Sequence, residues 1–205
     1  MGGDQNTFHE LINQFMEGVD EKSLVVRSRY GSGKTTFLKR LMQERNPERV
    51  LFITYRQKLA RDVMRNFSEL GFANYLDSYE NPSVWNSPRL IVQLDSLWNV
   101  LNKNDSYIAT EKFNLHYDMV ILDESESLLS HFDEKAIEGK EIKTWGLFDE
   151  ILKHSNKTVW MDGDISERTL SLATSYGKAT YIKTKMLRET RSSTSCFVTR
   201  SGMNN

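Results

Sequence analysis

Several residue types and patterns are scarce in this 205-residue chain, and each scarcity narrows what the protein can be. The single cysteine, Cys196, excludes an internal disulfide and a cysteine-rich zinc site. No apolar run approaches the roughly 20 residues that a membrane-spanning helix needs, and the first residues carry no secretory signal pattern. We therefore expect a soluble intracellular protein, in the cytoplasm or the nucleus, without a membrane partner.

A basic excess is also missing, because 27 Lys and Arg stand against 28 Asp and Glu, for a formal net charge of -1. Bulk charge therefore does not indicate a nucleic-acid partner, and any such contact must be local. The length and the 39% hydrophobic content suit one domain with one core. We assign this domain to residues 1–187 and expect a polar linker or a disordered tail over residues 188–205.

Short apolar runs alternate with amphipathic stretches along the chain. This alternation is typical of an α/β fold in three layers, with a mostly parallel central sheet covered by helices. Residues 57–70, for example, place apolar side chains at helical spacing and are predicted to form one helix. The segment directly after Glu124 is predicted as a charged loop, which leads to a helix near residues 145–153.

One strand-to-helix turn carries the strongest chemical signal. The apolar residues 24–27 run into Ser-Arg-Tyr-Gly-Ser-Gly-Lys-Thr-Thr, the pattern of a loop that cradles nucleotide phosphates. Its glycines let backbone amides approach the phosphates, and Lys34 reaches the β and γ oxygens at the positive end of the following helix. Thr35 is predicted to place its hydroxyl on magnesium. The expected ligands are ATP and Mg2+, and the expected nucleotide contacts are Ser28, Gly31, Ser32, Gly33, Lys34, Thr35 and Thr36.

A second strand end delivers two acids. The apolar residues 119–122 lead into Asp123 and Glu124, at the edge where an open α/β sheet places its ligands. Asp123 is predicted to hold magnesium, and Glu124 to orient and deprotonate the water that attacks the γ-phosphate. With Lys34, these acids form the predicted catalytic set. A solvated acidic turn is the alternative for the two acids taken alone.

Three further strand ends carry polar groups. Those after residues 50–54 and 90–93 offer basic, amide and hydroxyl groups suited to a phosphodiester backbone, although each alone is also compatible with a solvated turn. Asp162 is predicted to couple the nucleotide site to this surface. The alternative is a structural role, in which Asp164 or Ser166 beside it caps the next helix.

Trp98 is a candidate to lie near bound bases, and the other tryptophans are expected in the core. The predicted nucleic-acid contacts are Thr54, Arg56, Gln57, Gln93 and Ser96.

Together, these segments resemble the amino-terminal motor domain of superfamily 2 helicases, most closely the herpesvirus-type replication origin-binding protein family of large DNA viruses. The resemblance covers about residues 23–182. It matches motif I at 28–36, motif Ia at 54–60, a DSL segment at 93–97, motif II at 123–126 and motif III at 162–164. It implies a RecA-like P-loop NTPase domain of an ATP-dependent DNA helicase in viral-type replication, with single-stranded or duplex DNA as a partner.

The chain departs from the family pattern at several positions. Ser28 stands where the strict phosphate-loop pattern has glycine. The fourth residue of motif II is Glu126, and motif III lacks Ser-Ala-Thr; these two departures disfavour the DEAD-box RNA helicases. Family members also carry a second RecA-like domain whose arginines complete the ATP site, and nothing after Ile182 is long enough to form one. We expect that domain in a longer protein or another subunit, and slow hydrolysis by this chain alone.

Two other classes share a phosphate loop. A small nucleoside or nucleotide kinase has a similar length and sheet, but it needs an acceptor pocket and an arginine-bearing lid, and the acidic pair is better suited to activating water. A non-catalytic assembly module would keep the loop only to hold a nucleotide, and the intact Lys34, Thr35, Asp123 and Glu124 argue against a degenerate site. Phosphorylation of a nucleoside would identify a kinase.

Overall fold

The computed structural model describes residues 13–18, 20–29, 31, 33–102, 115–135, 140–185 and 197–200. Within these ranges the strands are β1 (Glu21–Arg27), β2 (Val50–Thr54), β3 (Ala73–Asn74), β4 (Arg89–Gln93), β5 (Met119–Asp123), β6 (Lys157–Asp162), β7 (Lys178–Lys185) and β8 (Phe197–Arg200). The helices are α1 (Lys34–Arg45), α2 (Gln57–Asn66), α3 (Asn99–Asn102), α4 (Ser125–Lys135), α5 (Lys140–His154) and α6 (Glu167–Ser175), and residues 13–17 are also helical. Short 3-10 turns lie at Ser68–Leu70, Tyr75–Tyr79, Pro82–Asn86 and Leu94–Ser96.

All the strands form one sheet, in the order β3-β4-β2-β5-β6-β1-β7-β8. Neighbouring strands from β3 to β7 are parallel, and β8 runs antiparallel to β7. Because crossovers between parallel strands are right-handed, α1 and α2 lie on one face, and α4, α5 and α6 lie on the other. The predicted three-layer α/β fold with a mostly parallel sheet is confirmed. Within the described ranges, no helix combines the length and the apolar character that crossing a bilayer requires.

The central strands are apolar because helices cover both of their faces. All five residues of β2 are buried, as is typical of a parallel strand in the middle of such a sheet. Phe52 of β2 packs against Phe67 with ring centroids 5.9 Å apart. On β6, Trp160 is fully buried and its indole N–H donates to the Thr158 hydroxyl at 2.8 Å. Trp98, by contrast, is 39% exposed.

The strand registers bring the ends of β1, β6 and β5 to the same level. Arg27 of β1 pairs with Asp162 of β6, and Asp123 of β5 pairs with Met161 of β6. Since parallel strands share one carboxyl edge, the residues that follow these three strands emerge side by side. The register therefore places the phosphate loop next to both acidic segments.

Two local predictions differ from the structure. The predicted charged loop after Glu124 is largely the helix α4, whose Leu128 and Leu129 are buried and whose Phe132 packs on Trp145 with centroids 4.9 Å apart. Its acidic and polar residues conceal this apolar side in the sequence. The helix predicted over residues 57–70 also ends early, at Asn66, and a 3-10 turn follows it.

Part of the predicted tail belongs to the sheet. Residues 197–200 form β8, which pairs with β7 from Ile182↔Arg200 to Lys185↔Phe197. The Phe-Val-Thr sequence favours a strand, and β7 would otherwise present an unpaired edge. The prediction of a linker or disorder therefore does not hold for these four residues, whereas 186–196 and 201–205 lie outside the described ranges.

The first residue of α4 gives a test of polar burial. Ser125 is fully buried, and its hydroxyl has no hydrogen-bond partner among the described residues. Ser125→Ala should therefore leave the free energy of unfolding unchanged or raise it by up to about 1 kcal/mol. Ser155→Ala is the matched control, because the buried Ser155 hydroxyl donates to the Leu152 carbonyl at 2.9 Å and its loss should cost about 1 kcal/mol. Urea unfolding of both variants measures the difference, and equal losses would contradict the assignment.

Candidate nucleotide site and nucleic-acid edge

The phosphate loop joins β1 to α1 through two glycines in the left-handed region. Gly31 has φ 74° and Gly33 has φ 93°, conformations that favour glycine, while nothing lies within 4 Å of a Cβ added at either position. Gly33 is the N-cap of α1 and offers no side-chain cap, so the first backbone N–H groups of this helix remain for an anion. Ser28 is buried without a positive φ, which explains why serine replaces glycine there.

A cavity of about 560 Å³ opens in front of this loop, within the usual size range for small-molecule sites. It continues between α1 and α2, where Leu38 and Val63 line it. The structure thus gathers most of the predicted nucleotide and catalytic residues around one space. Ser32 lies outside the described residues, and Thr36 is exposed on α1. The predicted site residues that line the cavity are Gly31, Gly33, Lys34, Thr35, Asp123 and Glu124.

Asp123 has the most perturbed carboxyl of the site. Burial raises the pKa of Asp123 to about 6, the charges of Glu124 and Asp162 add to the rise, and the positive charge of Lys34 opposes it. A carboxyl whose pKa is perturbed by burial and by charged neighbours, on the wall of a cavity, is a candidate functional group. Within the described residues, no group of three or more His, Cys, Asp or Glu forms a metal cage.

Glu124 adopts a strained backbone conformation. Its φ is +57°, a left-handed value that non-glycine residues rarely adopt, and its N–H donates to Asp123 Oδ1 at 3.2 Å. The turn lies between β5 and α4, so the chain changes direction directly after Asp123. Strain of this kind persists where the surrounding structure over-determines it and is concentrated at functional sites. The conformation places Glu124 on the cavity wall.

Asp162 joins the two acidic segments to the phosphate loop. Its backbone carbonyl accepts a hydrogen bond from Ser28 N–H at 2.8 Å. Its carboxylate accepts one bond from Glu126 N–H at 3.0 Å and another from Asp164 N–H at 3.1 Å. The predicted coupling residue thus contacts the first residue of the phosphate loop and the start of α4 at once.

Glu126 has a structural role that the sequence did not indicate. Its carboxylate accepts hydrogen bonds from the Ser166 N–H at 2.7 Å, the Ser166 hydroxyl at 2.9 Å and the Thr169 hydroxyl at 2.5 Å. In a capping box, a glutamate three residues into the helix binds the N-cap amide. Here the glutamate comes from a different helix, because Glu126 of α4 binds the N-cap amide of α6. Neither of the two caps expected from the sequence is formed: the Ser166 side chain makes no cap hydrogen bond, and Asp164 pairs with Arg27.

The Glu126 carboxyl is held in its charged form. Burial by itself would raise its pKa, but hydrogen bonds from Thr169 and Ser166, with the charge of Arg168, outweigh burial and lower the pKa. The partners lie 40 or more positions away in sequence, which is why no local pattern revealed them. In the sequence, the signal for this role was a third acid only two positions after Glu124.

The predicted nucleic-acid contacts after β2 divide into buried and exposed residues. Thr54 is fully buried, and its hydroxyl donates to the Val92 carbonyl at 3.4 Å, so a direct contact from Thr54 to a nucleic acid is not supported. The strand pleat directs this side chain inward. Arg56 and Gln57 are exposed, and the Arg56 guanidinium lies 5.1 Å from the centroid of the Tyr55 ring.

The residues after β4 lie beside them, because Thr54 pairs with Gln93 in the sheet. The side-chain oxygen Oε1 of Gln93 accepts a hydrogen bond from the Tyr75 hydroxyl at 2.8 Å, and the side-chain nitrogen Nε2 donates to Asp95 Oδ2 at 3.2 Å. Ser96 is half-buried and bonds to the Tyr75 side chain. Arg56, Gln57, Gln93 and Ser96 therefore line one edge of the sheet, which we call the strand-end edge.

The order of the elements and the site together define a RecA-like P-loop domain, with the phosphate loop after β1 and the acids after β5 and β6. The chain matches the origin of replication binding protein family over residues 10–200, and it belongs to that family. The resemblance drawn from the sequence is thereby confirmed.

Two relatives from Acanthamoeba polyphaga mimivirus are similar to the chain. One, an uncharacterized putative helicase R8, is 30% identical over 151 residues, which is 72% of this chain and 14% of that protein. The other, a putative replication origin-binding protein, is 29% identical over 175 residues, or 83% of this chain and 21% of that protein. The chain thus spans less than a quarter of the length of either relative.

A solved structure, that of a DEAD box protein from Methanococcus jannaschii, shares the fold. Its TM-score is 0.56 at 19% identity, and the superposition covers 85% of this chain and 48% of that chain. At this identity the likeness concerns the fold alone.

The raised pKa of Asp123 predicts a stabilising substitution. The folded state retains a proton on Asp123 between about pH 4 and pH 6, so stability without ligand falls as pH rises through that window. Asp123→Asn carries no charge to bury and should raise the free energy of unfolding by up to about 3 kcal/mol above pH 6, with little effect near pH 4. Denaturant unfolding at the two pH values measures this gain. The exposed Asp164→Asn is the control, and no gain for Asp123→Asn at neutral pH would contradict the assignment.

The lowered pKa of Glu126 predicts the opposite pH dependence. Its charged form stabilises the fold above the ordinary carboxyl pKa, and that contribution is lost as pH falls through the lower folded value. Glu126→Gln should therefore cost about 1–2 kcal/mol at neutral pH and less in acid. Glu167→Gln, exposed in the first turn of α6, should change stability by no more than about 0.5 kcal/mol. If thermal unfolding showed equal effects for the two variants, the capping role would be wrong.

Proposed function

We propose that this chain is the ATP-hydrolysing half of a DNA-dependent motor. The observation that carries the proposal is that Lys34, Thr35, Asp123 and Glu124 line one and the same cavity. This cavity lies at the carboxyl ends of the parallel strands, where the strand-end edge also lies. A nucleotide after β1 and β5 and a nucleic-acid strand after β2 and β4 would then lie at the same edge of one sheet. Membership of the origin of replication binding protein family supports replication DNA as the nucleic acid.

The residues of the cavity suit a nucleoside triphosphate as the substrate. The amides at the start of α1 and the Lys34 ammonium receive the negative charge of the phosphates. Thr35 and Asp123 would hold magnesium, which neutralises charge on the phosphates when it is bound. The positive charge of Lys34 opposes the burial that raises the pKa of Asp123, and both residues line the cavity that a phosphate would enter.

Glu124 is the proposed general base. It lines the cavity beside Asp123, and its left-handed backbone fixes the direction of the side chain relative to β5. A carboxylate held there orients a water for in-line attack on the terminal phosphorus and accepts its proton. The hydrogen bonds of Asp162 to Ser28 and Glu126 hold the loop and this turn at a constant separation.

The nucleic-acid side of the proposal rests on exposed polar groups. Arg56 and Gln57 are free to contact phosphates from the end of β2, and Gln93 and Ser96 are the candidate contacts from β4. Contacts of this type fix the position of a strand without reading its sequence. The chain covers 14% and 21% of its two relatives, and we infer that a second RecA-like domain, in a longer protein or another subunit, supplies the arginines that complete the ATP site.

The proposal predicts slow, DNA-stimulated ATP hydrolysis by the chain itself, because an absent arginine finger lowers turnover by roughly 10³- to 10⁵-fold. Hydrolysis is measured with and without single-stranded DNA at one fixed low salt concentration, since backbone contacts weaken steeply with salt. Lys34→Ala should abolish nucleotide binding and hydrolysis. Glu124→Gln should retain binding and lower turnover by about 100-fold or more.

Lys39→Ala is the matched control, because it removes a lysine from the same helix away from the cavity lining. It should hydrolyse ATP as the unchanged chain does. Transfer of phosphate to a nucleoside rather than to water would contradict the proposal and identify a kinase. Hydrolysis that Glu124→Gln left unchanged would remove Glu124 as the base.

A further inference from the structure

A polar contact outside the nucleotide site joins the helix α4, which begins at the catalytic turn, to the segment after β4. His131 lies in the second half of α4, and its Nε2 donates to Asp95 Oδ1 at 2.6 Å. The His131 side chain is 11% exposed and that of Asp95 46%. Asp95 lies between Gln93 and Ser96, the candidate contacts of the strand-end edge.

The helix that carries His131 begins at the catalytic turn. α4 starts directly after Glu124, and Leu128 N–H donates to the Glu124 carbonyl at 3.0 Å. Glu126 in its first turn is bonded to Asp162 and to α6. A displacement of Glu124 during nucleotide binding or hydrolysis would therefore act on the first turn of α4. His131 lies about two turns further along the same helix.

On the other side, His131 contacts Tyr55 and Asp95, which adjoin the two halves of the strand-end edge. The Tyr55 ring packs on the His131 ring in a T-shaped arrangement with centroids 5.4 Å apart, and the Arg56 guanidinium lies over the same Tyr55 ring. Asp95 in turn accepts a hydrogen bond from the Gln93 amide at 3.2 Å. Arg56 and Gln93 are thus each one side chain away from His131.

We propose that the Asp95–His131 contact positions the strand-end edge according to the state of the nucleotide site, so that nucleotide binding changes the affinity for a nucleic-acid strand. The proposal rests on the proposed function, because it needs a nucleotide at the phosphate loop. His131 and Asp95 act as positioning residues: they touch neither ligand themselves, but they orient Tyr55, Arg56 and Gln93. Coupling of this kind is reciprocal, so the strand changes the nucleotide affinity by the same factor.

The test uses three substitutions at one position. In His131→Gln the amide nitrogen lies as many bonds from Cβ as His Nε2 does, so it can still donate to Asp95. In His131→Asn the amide is one bond shorter and reaches only the place of Nδ1. His131→Ala removes the ring altogether. A merely structural role for the ring would affect glutamine and asparagine alike.

The first readout is the dissociation constant for a fluorescent single-stranded oligonucleotide, measured by anisotropy with and without a magnesium-bound, non-hydrolysable ATP analogue. The ratio of the two constants is the coupling factor, expected at roughly 5- to 150-fold. His131→Asn should bring this ratio close to one while the constant without nucleotide changes by less than about twofold, and His131→Gln should keep the ratio. Asp95→Ala should act like His131→Asn, and the double variant should be no worse than either single one, because the two remove the same contact.

The second readout needs no DNA. Trp98 is exposed three residues beyond Asp95, and its fluorescence is obtained as the difference between the chain and Trp98→Phe. Nucleotide should change this signal in the unchanged chain and in His131→Gln but not in His131→Asn. A signal that responds in this way without any binding of DNA would support the contact and overturn the nucleic-acid part of the proposed function.

Three results would overturn the inference. One is a coupling factor and a Trp98 response that His131→Asn leaves intact. Another is an equal loss in His131→Gln and His131→Asn together with lowered thermal stability, which would show a packing role for the ring. The third is a chain that binds neither nucleotide nor DNA, which would overturn the proposed function as well.

Discussion

The parallel register of β1, β6 and β5 is the constraint on which the rest of this structure depends. It brings the phosphate loop, the Asp123-Glu124 turn and Asp162 to one level of one edge, although these segments are far apart in the sequence. The hydrogen bond from Ser28 N–H to the Asp162 carbonyl continues the pairing of β1 with β6 by one step beyond the strands. A slip in register would separate the lysine from the acids, and no change in the loop itself could restore the site.

Polar contacts connect this edge of the sheet to the helices that pack on it. Asp162 holds the start of α4, Glu126 caps α6 from α4, and His131 joins α4 to Asp95. These bonds join segments that belong to different strand-to-strand connections. They lie on the face of the sheet where α4 contacts α5 and α6. The apolar core alone would keep the helices packed, but directional bonds to charged groups set how α4 sits relative to the catalytic turn.

Features whose signals are local were predictable from the sequence. The glycine loop, the buried strands and the acids at their ends each occupy a few consecutive residues with one physical reason. Thr54 shows the limit, because its position at a strand end was predictable but the pleat turns its hydroxyl into the core. Contacts such as Glu126 with Ser166 and His131 with Asp95 join residues 40 and 36 positions apart, and only the packing of α4 brings them together. The helix α4 itself was concealed by its acidic residues.

The nucleotide proposal depends on Lys34, through which the cavity at the end of β1 would bind a magnesium-bound nucleoside triphosphate. Isothermal calorimetry with a non-hydrolysable ATP analogue tests it most directly, with the unchanged chain and Lys34→Ala titrated side by side, with and without magnesium. We expect one site per chain that requires magnesium and is lost in Lys34→Ala. Binding that survived the loss of this lysine unchanged, or no binding by the unchanged chain, would contradict it.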